Sequence, residues 1–259
     1  MSTMPSSLTQ VAAPLPAPAH LRRLRVDLAD GAQTTVHVAR YPAATTDVRV
    51  VRLRRPQPLA AWCRRNAVPE ALVGGFYARP HGTPLGELRT RGVERRHVAF
   101  DAPWGGVRAC VHVAGGTVGI ACRDALGPAP RGDLLQAGPL LVRDGAVVAG
   151  DEEGFSAGAA QFDSDITDGR YPRAALGVSA DHLIALVCDG RAPGEAGLSL
   201  GELAEVLVAL GARQALNLDG GGSSSLVCGG ELRNVSREKH GVVLPGGRAI
   251  STALLFGLR

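Results

Sequence analysis

Hydrophobic and polar residues alternate along the first part of the chain, which is typical of antiparallel strands with one wet face. Three runs separated by turn residues show this period of two: residues 21–28, 34–39 and 48–53. Further strands are predicted over residues 71–77, 98–100, 107–113 and 117–120. A short helix is predicted over residues 59–66, ending before Pro69.

Longer apolar segments in the second half predict more deeply buried strands. They cover residues 134–142, 146–148, 174–178, 183–188, 215–218 and 254–258. The dipeptide Asp144-Gly145 separates the first two and is a strong signal for a two-residue hairpin, because both positions of such a turn need a positive φ.

The clearest helix is predicted over residues 200–210, where five leucines and valines recur at helical spacing. Ser199 is a good N-cap, and Glu202 three residues later completes a capping box. Gly211 stands where a helix commonly ends in a left-handed glycine.

These elements together predict an α+β fold with a large, mostly antiparallel sheet and a few packed helices. No internal repeat and no linker interrupts residues 20–259, so the sequence predicts one domain there. Residues 1–19 are rich in proline and alanine and are predicted to be a disordered lead-in.

Charge is unevenly distributed over the 259 residues, although the formal net charge is only +4. Residues 1–130 carry 17 arginines and eight acids, whereas residues 131–259 carry 11 basic residues and 16 acids. The basic first half suits a phosphorylated ligand. Scattered arginines, 4% aromatic residues and the lack of a recognisable motif argue against nucleic acid as a partner.

The five cysteines are odd in number and form no CxxC pair, so they predict buried, reduced thiols rather than a disulfide framework or a zinc ribbon. The first twenty residues lack the basic segment of a signal peptide. No apolar run is long enough to cross a membrane. We therefore expect a cytoplasmic protein without a membrane partner; the oligomeric state is open.

The stretch 217–225, with the sequence NLDGGGSSS, carries the most chemical information. Within a strand, Asn217 and Asp219 would point to one face, so an amide and a carboxylate would arrive side by side at the strand end. Three glycines free the backbone that follows, and successive N–H groups in such a loop can converge on an anion. The alternative is a flexible glycine-serine turn with Asp219 capping it.

Five other motifs precede this stretch, and the ordered set resembles the phosphodiester glycosidase family. They are VGGF at 73–76, TPLG at 83–86, GPLLVRDG at 138–145, PRAALG at 172–177 and DGR at 189–191. The resemblance covers roughly residues 20–259. It implies an enzyme that hydrolyses the C1–O glycosidic bond of a sugar-1-phosphodiester or a nucleotide-sugar-like substrate.

Two positions depart from the family's usual pattern. Val73 and Thr252 stand where members commonly have asparagine. Either position would lie near the substrate, so the resemblance does not imply that the sugar is N-acetylglucosamine.

Candidate roles follow from these motifs. The candidate catalytic residues are Asp219, Asp189 and Arg173. The candidate substrate-binding residues are Asn217, Gly220, Gly221, Gly222, Ser223, Ser224, Arg191, Gly74, Gly75, Phe76 and Thr83. Asp219 would stabilise an oxocarbenium-like centre or activate water, while the arginines and the loop N–H groups would bind the departing phosphate. For Arg173 the alternative is an internal salt bridge.

Two other functions stay open from the sequence. A metal-assisted phosphodiesterase would use Asp163, Asp165, Asp189 and Asp219 as ligands, and a degenerate member would bind a phosphorylated glycan without turnover. The run 163–168 fails the EF-hand pattern, and the histidines show neither HxH nor HExxH spacing. We therefore expect no cofactor and no bound metal, and a small phosphorylated sugar as the partner.

Overall fold

Antiparallel strands dominate the structure, a computed structural model that describes residues 20–101, 104–148 and 169–259. The predicted lead-in, residues 1–19, and the acidic run, residues 163–168, lie outside the described residues. Within the described ranges the α-helices are α1 (Leu59–Arg65), α2 (Trp104–Val107) and α3 (Leu200–Ala209). None of the helices in the described ranges has the length and apolar character needed to cross a membrane.

The first ten strands are β1 (His20–Asp27), β2 (Gln33–Pro42), β3 (Thr46–Pro58), β4 (Ala71–Val73), β5 (Tyr77–Ala78), β6 (Thr83–Pro84), β7 (Leu88–Thr90), β8 (Val93–Glu94), β9 (Ala109–Ala114) and β10 (Thr117–Cys122). The next nine are β11 (Asp133–Gln136), β12 (Leu140–Arg143), β13 (Ala146–Val147), β14 (Arg173–Val178), β15 (His182–Cys188), β16 (Gln214–Asn217), β17 (Leu226–Cys228), β18 (Glu231–Leu232) and β19 (Ala249–Leu258).

These strands form three sheets and a ribbon. Sheet I has the spatial order β1-β2-β15-β14-β16-β12-β13, sheet II the order β10-β9-β11-β7-β8, and sheet III the order β18-β17-β4-β19-β3, while β5 and β6 pair alone. The predicted sheet-dominated, mostly antiparallel fold is confirmed. The expectation of one large sheet is wrong in detail, because a twisted open sheet of this many strands splits into layers that bury one another's apolar faces.

The centre of sheet I is buried on both faces, which explains its continuous apolar sequence. Along β15, Leu183, Ala185 and Val187 join the core shared with sheets II and III. Ile184 and Leu186 alternate with them and pack into a second core beneath α3. Strands covered on both sides lose the alternation that marks the half-exposed strands of the first half.

The local signals for α3 and for the hairpin are confirmed. The Ser199 hydroxyl accepts a hydrogen bond from the Glu202 N–H, and the Glu202 carboxylate accepts one from the Ser199 N–H. Gly211 has φ +89° just beyond the helix. Asp144 and Gly145 have φ +51° and +81° in the turn that joins β12 to β13.

Three predicted strands are shorter than expected or divided. Residues 134–142 form two strands in different sheets, because Pro139 has no N–H to donate and the chain changes sheet beside it. Residues 71–77 are a strand only as far as Val73. Residues 98–100 contribute only one isolated bridge, from Val98 to Leu85.

Candidate active site

A glycine loop, residues 220–223, follows β16 and is anchored to the chain that enters β14. The Gly221 N–H donates to the Pro172 carbonyl at 2.8 Å, and Gly221 has φ +60°, which favours glycine. The Ser223 N–H donates to the Gly220 carbonyl, closing a single 3₁₀ turn. Of the four loop N–H groups, those of Gly220 and Gly222 make no such bond to described residues, so the anion-binding surface is smaller than the sequence suggests.

Asp219 lies immediately ahead of the glycine loop and is 8% exposed. Its N–H donates to the Gly74 carbonyl at 3.0 Å, which joins two motifs that are far apart in sequence. Asn217, the last residue of β16, is 1% exposed and donates its amide Nδ2 to the Leu218 carbonyl. Gly138 lies directly beside Asn217, since a Cβ there would be 2.7 Å from the Asn217 carbonyl oxygen.

The segment after β4 leaves sheet III to reach this point. The Gly74 and Gly75 N–H groups donate to the Thr252 carbonyl and hydroxyl, at 2.9 and 3.0 Å. A Cβ on Gly74 would lie 2.5 Å from the Thr252 hydroxyl, so only glycine fits. Val73 is fully buried, belongs to the hydrophobic core and pairs with Ala253. The two departures from the family pattern are therefore neighbours on adjacent strands.

Three consecutive serines, of which the first is the last residue of the loop, have buried hydroxyl groups. Ser223, Ser224 and Ser225 have no exposed surface, and none of their hydroxyls has a hydrogen-bond partner within the part of the chain that the structure describes. The Asn217 Oδ1 atom is in the same situation. Because a buried unsatisfied polar group costs about 1–3 kcal/mol, such a cluster is typical of a site that receives a polar ligand.

Arg248, just ahead of β19, belongs to the candidate site by position and was not among the residues expected from the sequence. Its N–H donates to the Gly222 carbonyl at 2.9 Å, and its guanidinium lies against the glycine loop. Nε and Nη2 donate to the two carboxylate oxygens of Glu238 at 2.7 and 2.5 Å. One arginine among many offers no sequence signal; only the fold brings it to the loop.

The charges around Arg248 are coupled. Burial, the largest single influence, acts to lower the pKa of Arg248. The hydrogen bonds to Glu238 and the charges of Glu238 and Asp219 together outweigh burial and raise the pKa. The pKa of Glu238 is lowered, first by the hydrogen bonds from Arg248 and then by the positive charges of Arg248, Arg191 and Arg79, against the opposing effect of burial. Arg248 therefore stays protonated, bound to Glu238 and under the influence of the Asp219 charge.

Arg173 and Arg191 both lie over the Tyr171 ring, with each guanidinium carbon 5.4 Å from the ring centroid. The Arg173 side chain is 1% exposed and donates to the carbonyls of Leu198 and Gly169. Arg191 has φ +61° and donates to the Arg237 carbonyl. Arg173 therefore braces the segments that surround β14, in addition to any contact with substrate.

Asp189 is 4% exposed and faces His37 and Val235. One carboxylate oxygen is 3.1 Å from the His37 Nε2 atom, and the other accepts the Val235 N–H at 2.8 Å. Both oxygens are thus engaged by groups outside the glycine loop. Phe76 is half-buried, and Thr83 pairs with Ala78 in the β5–β6 ribbon, so neither is joined to the loop by a hydrogen bond that the structure describes.

No group of three or more potential metal ligands occurs in the described ranges. Asp163 and Asp165, two of the four ligands expected for the phosphodiesterase alternative, lie outside the described residues. The other two, Asp189 and Asp219, have the separate surroundings given above.

Comparisons with known proteins agree with the motifs. The sequence model of the phosphodiester glycosidase family matches residues 66–257. The fold is similar to that of the zebrafish N-acetylglucosamine-1-phosphodiester alpha-N-acetylglucosaminidase catalytic domain, auto-inhibited by its pro-peptide, at 20% identity and a TM-score of 0.70 over 93% of this chain and 83% of that chain.

It is also similar to a hypothetical protein from Synechocystis, at 20% identity and a TM-score of 0.63 over 96% of this chain and 64% of that chain. No curated protein matches the sequence. Because the family's model spans well over half of the chain, this protein belongs to the phosphodiester glycosidase family, whose name describes glycosidase-type hydrolases.

Proposed function

We propose that this protein hydrolyses the glycosidic C1–O bond of a sugar-1-phosphodiester or a nucleotide-sugar-like substrate. The observation that carries the proposal is the meeting of Asp219 and Arg248 at the glycine loop. The carboxylate stands at one end of the loop and the guanidinium lies against Gly222, close enough for the Asp219 charge to raise the pKa of Arg248. Opposite charges at one loop suit a reaction that builds positive charge on a sugar and negative charge on a phosphate.

The leaving group decides what the site needs. In this reaction the C1–O bond breaks with its electron pair going to the phosphate, and the oxygen of water becomes the new C1 hydroxyl. The phosphate monoester that departs has a second pKa of about 6, so it leaves without a strong general acid. Ordinary glycosidases need a protonated carboxyl group for a poor alkoxide leaving group, whereas here stabilisation of phosphate charge replaces it.

Asp219 is the carboxylate that we assign to the sugar side. It would stabilise the oxocarbenium-like transition state or take a proton from the attacking water. Asn217 and the buried serine hydroxyls would hold sugar hydroxyl groups, which their unsatisfied oxygen atoms support. Asp189 is better suited to positioning, because its two oxygens already accept from His37 and Val235.

Arg248 is the cation that we assign to the phosphate side, with the N–H groups of Gly220 and Gly222. An arginine that Glu238 holds in a bidentate pair is oriented before the substrate arrives. Arg191 and Arg173, which both contact the Tyr171 ring, would bind the more distant part of the phosphodiester.

Oxygen-18 water tests the position of cleavage. A panel of sugar-1-phosphodiesters and nucleotide sugars would be hydrolysed in labelled water by the wild type and by Asp219→Asn. We expect label in the released sugar and a large loss of turnover in the variant. Label in phosphate would overturn the glycosidase assignment and favour attack on phosphorus. Binding of the panel without turnover would instead favour a non-catalytic phosphoglycan-binding protein.

Asp181→Asn is a matched control. Asp181 is an exposed aspartate in the turn between β14 and β15, where it pairs with His182. Losing a carboxylate there should leave turnover unchanged. Thermal unfolding of both variants would separate lost chemistry from lost folding.

A further inference from the structure

Five of the 17 arginines in residues 1–130 line a cavity that shares no residue with the glycine loop. This cavity of about 610 Å³ opens where β3, the edge strand of sheet III, meets the β7–β8 turn at the edge of sheet II. Its charged lining residues are Arg49, Arg52, Arg54, Arg91, Arg95 and Asp133. Five cations and one carboxylate on a concave surface create a strongly positive potential.

The one acid of this lining does not neutralise the arginines by pairing with them. One carboxylate oxygen of Asp133 accepts the Val50 N–H at 3.0 Å, and the other accepts the Arg91 N–H. Asp133 therefore ties the edge of sheet III to the β7–β8 turn and fixes the two walls of the cavity. The backbone of both walls is therefore fixed before a ligand binds.

The arginines differ in how much of their hydrogen-bonding capacity is used. The Arg49 Nε pairs with Asp47 at 2.8 Å, and Arg95 donates to the Thr90 hydroxyl and carbonyl. Arg52, Arg54 and Arg91 are exposed and form no ion pair with any described residue. Three guanidinium groups thus keep the paired donors that bind phosphate oxygens best.

A bulge in β3 helps to position one of these arginines, Arg54, at the cavity. Arg52 pairs with Thr252, but the next pairing joins Gln57 to Ile250, so residues 53–56 oppose the single residue Ser251. A bulge of this size bends the strand and redirects its side chains. Arg54 belongs to the bulge, beside Arg52 at the cavity.

We propose that this cavity is a second binding site, for a compact anion that carries two or more phosphate groups. Its volume falls in the range of small-molecule sites, and no aromatic side chain lines it in the described part of the chain, which disfavours stacked nucleic-acid bases. Its lining shares no residue with the candidate active site. Binding at this cavity and hydrolysis at the glycine loop can therefore be tested separately.

Titration calorimetry with inorganic tripolyphosphate, at about 0.15 M salt so that weak surface pairing is screened, tests the site. We expect saturable binding, and inorganic monophosphate should bind at least about tenfold more weakly. The double variant Arg52→Ala/Arg91→Ala should weaken tripolyphosphate binding by about tenfold or more, because each lost guanidinium removes charge-assisted hydrogen bonds.

The control is Arg22→Ala/Arg23→Ala, which removes the same charge from two exposed arginines of β1. It should bind tripolyphosphate like the wild type. Equal weakening in both double variants would mean general charge attraction and would overturn the proposal, as would absence of binding. Weakening by Arg248→Gln alone would place the anion at the glycine loop and would also overturn it.

Discussion

The guanidinium of Arg248 donates hydrogen bonds to both carboxylate oxygens of Glu238, while the backbone N–H of Arg248 donates to the glycine loop. Side chain and main chain are thus fixed by separate bonds, one to Glu238 and one to the Gly222 carbonyl. A guanidinium held in this way loses little further conformational freedom when an anion binds. Glu238 acts on the substrate only through Arg248, which makes it a positioning residue in the proposed reaction.

Removing the Arg248 guanidinium should damage the proposed hydrolysis more than it damages folding. We expect Arg248→Gln to lower kcat/KM on a sugar-1-phosphodiester by about a hundredfold or more, the usual effect of losing a donor that stabilises developing negative charge. Arg248→Lys should recover only part of this loss, because an ammonium cannot replace the bidentate geometry. Steady-state kinetics and thermal unfolding would be measured together. Full activity in Arg248→Gln would contradict the assignment.

The ion pair of Arg248 and Glu238 should also make stability depend on pH in a defined window. Because the pKa of Glu238 is lower in the folded state than in the unfolded chain, the pair's contribution is complete above the ordinary glutamate pKa of about 4.3. It is lost as the pH falls through the lower, folded-state pKa.

Wild type and Glu238→Gln should therefore differ in free energy of unfolding at pH 7, and the difference should shrink on acidification below about pH 4. Denaturant melts at several pH values would measure this difference in free energy of unfolding. Comparing the wild type with Glu238→Gln cancels the contribution of all other titrating acids. A difference that stays constant down to pH 3 would show that Glu238 contributes by packing rather than by charge.

Local signals in the sequence were enough to predict much of the fold. The capping box of Ser199 and Glu202 and the turn at Asp144 act within a few residues, so their outcome depends little on the rest of the chain. The division into sheets was not predictable, because it depends on which apolar faces meet. The sequence of residues 134–142 predicts one strand, whereas in the structure the chain crosses from sheet II to sheet I at Gly138 and Pro139.

The candidate site shows the same division between local and distant information. The motif around Asp219 could be recognised from its local composition alone. Arg248 and Glu238 could not be recognised in this way, because Arg248 reaches the glycine loop only when β19 takes its place in sheet III. That both Asp189 oxygens accept hydrogen bonds could not be predicted either, since one partner, His37, lies 152 residues away in the chain.

The five free cysteines should be almost inert in the folded protein. Burial raises the pKa of Cys63, Cys188 and Cys228 to about 12 and raises that of Cys110 further. Cys122 is the half-buried one. Since the thiolate is the reactive form, Ellman's reagent at pH 8 should label at most one thiol in the native state and five in guanidinium chloride. Rapid labelling of two or more native thiols would contradict these buried positions.

The tight approach of Gly74 to Thr252 predicts a substitution that should harm both stability and activity. In Gly74→Ala the new Cβ would lie 2.5 Å from the Thr252 hydroxyl and 2.8 Å from its carbonyl carbon, so the backbone of β19 must shift. We expect a loss of about 1–3 kcal/mol in the free energy of unfolding, typical of overpacking. Activity should fall as well, because the Gly74 carbonyl accepts the Asp219 N–H.

Gly201→Ala is the matched control for this loss. Gly201 lies in the first turn of α3, and apart from its chain neighbours and the backbone of its own helix no described atom lies within 4 Å of where its Cβ would be. The same chemical change there should raise the free energy of unfolding by at most about 1 kcal/mol, the difference between alanine and glycine in a helix interior, and should leave turnover unchanged. Denaturant melts of the two variants should therefore move in opposite directions. Wild-type stability in Gly74→Ala would show that a Cβ fits at position 74. The close packing of Gly74 against Thr252 would then be wrong, as would the junction that it forms with Asp219.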